Sequence, residues 1–304
     1  MKVNVRKVFR QLLSGDEIIV APGAYDAFSG RIIEEAGFKV AYIGGSNINA
    51  VMGYPDGEAT RTEYLGRVRE ITQALSIPVV VDIETGFGSG SALDLMRTIR
   101  EFERVGVAAV HCEDQLTAVK NQVTVNKTGG IKGAYLVPRA EMLKKIEAAL
   151  EAREDKNFVF IARTDARTRY GLEEALERGR AYAKAGADMV VVQALESVEE
   201  LKMAVDYVGA PLLIFNGRTK REDARRDPLS LSSHELQEIG VKMVTFGNGV
   251  LRSAGWAVQE LMEEIKRTGN DEGFADRMMR KEEIGELVGT PARDALRKRF
   301  LDYK

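Results

Sequence analysis

Four ten-residue stretches of this 304-residue chain carry one pattern: AGFKVAYIGG, VGVAAVHCED, AGADMVVVQA and IGVKMVTFGN. Each sets a glycine (Gly37, Gly106, Gly186, Gly240) at the end of a helical pattern, two or three residues before an apolar, strand-like run. Further strand-like runs lie between them in EIIVAPGAYD, PVVVD, NFVFIARTD and APLLIFNG, and helical patterns fill the gaps. One such pattern sets Leu95, Ile99 and Phe102 at i, i+4 and i+7, a single apolar helix face. Eight strands thus alternate with helices. A unit recurring at every second strand fits a (β/α)8 barrel better than an open sheet.

The barrel is expected over residues 1–268, opened by an N-terminal helix over 5–13. A C-terminal helical extension at 269–304 holds amphipathic stretches at 274–287 and 291–301. It is too short to fold alone, so it should pack on the barrel or on another subunit. Ile284, Leu287, Leu296 and Leu301 would otherwise stay exposed, which points to a homodimer or homotetramer.

The most informative strand is PVVVDIETGFGSG, residues 78–90. An apolar run ends in Asp82. Glu84, two places later, falls on the same side of an extended chain. Gly86, Gly88 and Gly90 then permit a tight loop, and a helix starts at Ser91. In barrels the active site lies at the C-terminal ends of the strands. Those ends carry Gly44-Gly45-Ser46, Asp82 with Glu84, Glu113 with Asp114, Arg163 with Asp165, Gln193, Asn216 and Asn248.

Clustered carboxylates without histidine suit a hard cation such as Mg²⁺, which takes one or two carboxylates and keeps several waters. Arg163 would then clamp a substrate carboxylate bidentately. The Gly45 and Ser46 amides would hold an anionic oxygen. His111 and Cys112, adjacent within a strand, face opposite sides and read as packing residues, and His234 as a surface residue. The long stretch 116–135 reads as a lid, with a solvated loop as the alternative.

Composition narrows the function further. A net charge of −2 gives no bulk reason to bind nucleic acid or an acidic membrane surface. No apolar stretch approaches the ~20 residues that span a bilayer. One cysteine excludes an internal disulfide framework and suits a reducing cytoplasm, and two histidines are too few for a His-rich metal site. The G-x-G-x-G at 86–90 lacks the third-glycine spacing of a dinucleotide loop.

APGAYDAFSGRIIEEAGF, YIGGS, the acid pair before TGFG, HCEDQ, KIEAALEAREDKNFVFIARTDAR and YGLEEAL together resemble the isocitrate lyase/phosphoenolpyruvate mutase superfamily. The similarity spans about residues 10–301 and is nearest to 2-methylisocitrate and dimethylmalate lyases, carboxyphosphonoenolpyruvate mutases and oxaloacetate decarboxylases. It implies a (β/α)8 barrel whose last helix is exchanged between subunits. It also implies Mg²⁺, with Mn²⁺ as a substitute, and chemistry through an enolate of a small 2-oxo acid. By motif position Asp82 would bind the metal directly, with Glu84, Glu113 and Asp56 acting through its waters. Tyr42, Gly45, Ser46, Asp82, Arg163, Gln193 and Asn216 would surround a small carboxylate substrate, with Arg163, Asp56, Lys120 and Asn121 serving catalysis.

The departures from that family shape the expectation. Glu84 stands where the family has Asp. The lid reads AVKNQVTVNK, without the lyases' Cys, Gly and His, and Asn121 takes the place of the thiol acid. Gln193 replaces a glutamate, FNGRT replaces Ala-Asn-Met-Thr-Glu, and Asn248 stands near a histidine of the decarboxylases. Carbon–carbon cleavage of a small di- or tricarboxylate, by retro-aldol reaction or decarboxylation, is the leading expectation. Phosphorus–carbon mutase or hydrolase chemistry is second, and a barrel kept as a scaffold is third.

Overall fold

The computed structural model describes residues 4–116, 135–216 and 231–301. Eight parallel strands follow one another around the molecule: β1 (Ile19–Pro22), β2 (Ala41–Ile43), β3 (Val79–Asp82), β4 (Ala109–Glu113), β5 (Val159–Thr164), β6 (Met189–Val192), β7 (Leu213–Phe215) and β8 (Met243–Phe246). Strands β2 to β6 form one sheet, and β7, β8 and β1 another. Single bridges join the two sheets at both seams, Gly23 with Tyr42 and Val190 with Leu212. Backbone hydrogen bonds from Ala24 to Tyr42 (2.7 Å) and from Val190 to Pro211 (3.0 Å) reinforce those seams. The sheet therefore runs once around, as the alternating pattern predicts.

Helices α1 (Val5–Ser14), α2 (Ala27–Glu35), α3 (Gly45–Val51), α4 (Arg61–Ala74), α5 (Ala92–Arg104), α6 (Arg139–Ala152), α7 (Ala166–Lys184), α8 (Val198–Val208), α9 (Ser233–Ile239) and α10 (Gly249–Thr268) complete the repeat. Their starts follow from side chains that satisfy orphan backbone donors: Asp26, Thr60, Ser91, Ser197 and Ser232 each accept an amide of the first turn. The four repeat glycines have φ of 86°, 92°, 99° and 101°, a conformation strained for any side chain. That is the physical content of the repeat.

Alternation along each strand sorts the core into two layers. Val79, Val81, Val110, Cys112, Phe160 and Ala162 point outward beneath the helices. Val80, Ala109, Val159, Ile161, Met189, Leu213 and Met243 fill the barrel, together with Phe9 of α1. Arg10 pairs with Asp188 at 2.7 Å and fastens α1 across the N-terminal end of the barrel. Phe9 is fully buried there.

Residues 45–51, directly after β2, form the short helix α3, whose seven residues offer too few turns for a periodic signal. Helix α7 runs from Ala166 with a break at Gly171 (φ 89°, ψ 173°). The C-terminal extension holds a 3-10 segment (Glu272–Arg277), α11 (Lys281–Leu287) and α12 (Thr290–Phe300). Helices α10, α11 and α12 bury none of their residues in the single chain. Among the described residues no helix is long and apolar enough to cross a membrane.

Candidate active site

With α1 across one end, the C-terminal mouth of the barrel is the accessible one. A cavity of about 240 Å³ lies there, lined from β2, β3, β4, β5 and the strand ends that follow. It brings together Tyr42, Ser46, Asp56, Asp82, Glu84, Glu113, Arg163, Gln193 and Asn216, nearly the whole set expected from sequence. Gly45 adjoins it as the first residue of α3. Lys120 and Asn121, and the lid over 116–135 apart from its two ends, lie outside the described residues. Those ends are paired by Leu116 N donating to Tyr135 O at 2.7 Å. A larger cleft of about 1430 Å³ lies between α4 and α5, away from the strand ends and their acids.

Asp82 ends β3, and its Oδ1 accepts the Glu84 amide at 2.8 Å. That hydrogen bond accompanies a correction. Glu84 is not the next residue on an extended chain: it stands in the left-handed region with φ 58°. Its carboxylate reaches the cavity from a tight turn and packs against Gly45, where a Cβ would lie 2.8 Å from its Cδ. Lys145, fully buried on α6, donates to Thr85 O at 2.7 Å and holds this turn from behind.

Arg163 faces inward because Val159 and Ile161 do, four and two residues earlier on the same strand. Its Nε and Nη2 bind both oxygens of Asp165 at 2.9 and 2.8 Å, and Nη1 lies 3.2 Å from Glu113 Oε2. The bidentate edge is thus taken by Asp165, which corrects the expectation of a bidentate clamp on substrate. Burial opposes the guanidinium charge, but Asp165, Glu113 and Asp82 outweigh it. Burial pushes the Glu113 carboxyl well above the usual range, and Arg163 pulls it back only in part.

His111 is more than a packing residue. It is fully buried on the inner face of β4, and its Nε2 lies 2.8 Å from the Tyr42 hydroxyl. Its Nδ1 lies 3.7 Å from Asp82 Oδ1. Phe215, also missed from sequence, lines the cavity from the end of β7. The available signal was parity: His111 is two residues before Glu113, and Phe215 two after the inward Leu213. Cys112, between His111 and Glu113, points out into the core as expected. Ser46 Oγ donates to Asn248 Oδ1 at 3.2 Å, and Asn216 Nδ2 to Leu231 O at 2.8 Å.

The donor set of the cavity is oxygen, with four carboxylates (Asp56, Asp82, Glu84, Glu113) against the Arg163 guanidinium. That excess of negative charge fits a hard divalent cation. Among the described residues no three Asp, Glu, His or Cys side chains converge as direct ligands. A cation held through one carboxylate and several waters satisfies both observations, and Mg²⁺ favours that arrangement.

The sequence profile described as phosphoenolpyruvate phosphomutase matches residues 9–266. The chain belongs to this family. A 2,3-dimethylmalate lyase of Eubacterium barkeri is 36% identical over 289 residues, covering 94% of this chain and 95% of the relative. A probable 2-methylisocitrate lyase of Corynebacterium glutamicum is 36% identical over 288 residues, covering 93% and 88%. The crystal structure of a phosphonopyruvate hydrolase complex with oxalate and Mg²⁺ superposes with a TM-score of 0.84 at 27% identity, covering 99% and 100%. Lyases and phosphorus–carbon enzymes thus share this phosphomutase-family barrel.

Proposed function

We propose that this chain is a Mg²⁺-dependent carbon–carbon lyase acting on a small 2-oxo or 2-hydroxy di- or tricarboxylate. The observation that carries the reading is the convergence of Asp82, Glu84, Glu113, Asp56 and Arg163 on one cavity at the C-terminal mouth. Asp82 would hold the cation directly, and Glu84, Glu113 and Asp56 would orient its waters. When bound, Mg²⁺ or Mn²⁺ supplies Lewis-acid polarisation of the substrate oxygen at C2.

The chain's own groups do the rest. Arg163, kept charged by Asp165 and Glu113, would stabilise the negative charge released by bond cleavage. The Gly45 and Ser46 amides, at the first turn of α3, would hold the substrate carboxylate. Tyr42 keeps its proton, since burial raises its hydroxyl well above the usual range, and it presents that hydroxyl beside Asp82. Gln193 and Asn216 would bind the far end of the substrate by neutral hydrogen bonds.

The phosphonopyruvate hydrolase likeness favours a second reading, cleavage of a phosphorus–carbon bond at the same centre. Incubation with Mg²⁺ and oxaloacetate, 2-methylisocitrate, 2,3-dimethylmalate or phosphonopyruvate, followed by NMR of products, separates the two. Turnover of phosphonopyruvate alone would transfer the assignment to the second reading. No turnover of any would favour a barrel kept as a scaffold.

The assembly we propose is a homodimer or homotetramer in which α10 and the segment after it cross to a neighbour. Its support is that α10 buries none of its residues within one chain. A reducing cytoplasm is the compartment we propose, on the single cysteine, which is buried and not in a disulfide.

A further inference from the structure

We propose that Phe215 is a specificity-determining residue that restricts this cavity to short, unbranched diacids and turns away branched tricarboxylates. The inference rests on the lyase reading above and deepens it by naming the substrate class.

The cavity has two unlike walls. Asp82, Glu84 and Glu113 stand on the β3–β4 side. Strand β7 lies across the ring from β3, and Phe215 closes that side. Flanking Phe215 are neutral amides, Gln193 after β6, Asn216 after β7 and Asn248 after β8. A substrate anchored at the acidic wall must therefore end against an aromatic ring and neutral amides.

The ring has nowhere to go. Its centroid lies 5.4 Å from that of His111 and 5.9 Å from that of Tyr42, both tilted by 54°. The Arg163 guanidinium covers it at 5.5 Å. The backbone is pinned by pairing with Thr245 and by Asn216 N donating to Thr245 O at 2.8 Å. Close-packed neighbours of this kind do not yield to an extra branch without strain.

Size and charge then agree. About 240 Å³ among the described residues falls below the roughly 300–1,000 Å³ of sites that take drug-sized ligands, and a hydrated cation would occupy part of it. Arg163 is the one cationic side chain among the described lining residues, and it already serves Asp165 and Glu113. Among the described lining residues, a third substrate carboxylate would meet the Phe215 ring and neutral amides rather than a counter-charge, which is strongly unfavourable.

The test uses the full chain with Mg²⁺, as wild type and as Phe215→Ala and Phe215→Leu. Binding of oxalate and of 2-methylisocitrate is measured by calorimetry, and kcat/KM on oxaloacetate and 2-methylisocitrate by product NMR. Wild type should bind oxalate and prefer oxaloacetate. Phe215→Ala should shift the kcat/KM ratio toward 2-methylisocitrate by about tenfold or more, the range that one hydrocarbon group contributes in a pocket, with Phe215→Leu between. Oxalate binding by both variants shows that they fold. An unchanged ratio with oxalate binding intact would overturn the role of Phe215 alone. Absence of oxalate binding and of turnover in wild type would overturn the lyase reading, and this inference with it.

Discussion

The Tyr42 hydroxyl and His111 Nε2 meet at 2.8 Å across the barrel interior, with the two rings stacked 2° from parallel. Burial lowers His111 to about 4, against the pull of Asp82, so the ring is neutral at physiological pH. Neutral Nε2 can accept a hydrogen bond from the Tyr42 hydroxyl, which leaves the imidazole hydrogen on Nδ1, on the side of Asp82 Oδ1 at 3.7 Å. The Tyr42–His111 bond thereby ties the inner faces of β2 and β4 together beneath the cavity, beside Asp82.

This predicts a specific pH dependence of stability. His111 titrates near 6.5 when unfolded and near 4 when folded, so the unfolded chain binds more protons between those values. Its contribution is complete above about 6.5 and is lost as pH falls toward 4, on the order of 3 kcal/mol in all. Glu113, raised by burial, acts in the opposite sense, so the comparison must isolate His111. Denaturant midpoints of wild type and His111→Phe should converge as pH is lowered from 7 to 4.5. Parallel curves would mean that His111 is not held neutral.

How far the sequence could be read depends on the distance over which each feature is encoded. The four glycines and the strand runs are local signals, and they give the order of β1 to β8 directly. Asp82, Glu113 and Arg163 are legible because each ends an apolar run. Parity places His111 and Phe215 on inner faces, but their roles are not legible, because the groups they meet (Tyr42, Asp82, Arg163) come from other strands. Glu84 was placed on the correct side by a rule that does not apply to it, since its φ is 58°. The bond from Arg163 back to Asp165, two residues on, is a matter of side-chain geometry with no periodic trace.

Gly45→Ala tests the packing of α3 on Glu84. The added Cβ would overlap the Glu84 carboxylate, the mobile end of a side chain, so the fold should survive while Glu84 is displaced. Activity or Mg²⁺ affinity should fall by roughly 10–100-fold, as when an outer-shell partner of a metal site is lost, with little change in melting temperature. A variant with wild-type affinity and turnover would show that Glu84 does not act in this cavity.

Asp82→Ala should abolish turnover, and EDTA should do the same to the wild type. By contrast, Glu84→Asp keeps a carboxylate and suits the left-handed backbone at this position, where Asp is better tolerated than Glu. Its loss should not exceed about 10–100-fold. Full activity in EDTA would refute the assignment of a metal to this cavity.

Cys112 is fully buried, and burial pushes its thiol up to about 11. The thiolate is the reactive form, so at pH 8 almost none is present. Ellman's reagent should leave the native protein unmodified and label one thiol after denaturation. Rapid labelling of the native protein would mean that Cys112 is less well covered than the structure shows.

Helix α10 presents an apolar stripe to solvent in the single chain. Over twenty residues it is about 30 Å long, and Val258, Met262 and Ile265 lie at i, i+4 and i+7 on one face. They are 55%, 51% and 37% exposed in the single chain, and Trp256 is 44% exposed. An apolar stripe of that length left in water is unfavourable, and a second copy of this chain can cover it. Wild type should therefore run as a dimer or tetramer in light scattering at micromolar concentration. Met262→Asp should place a charge in that contact, shift the protein toward monomer and lower its melting temperature, because α10 then loses its cover. A wild-type monomer would remove the interface from this face of α10.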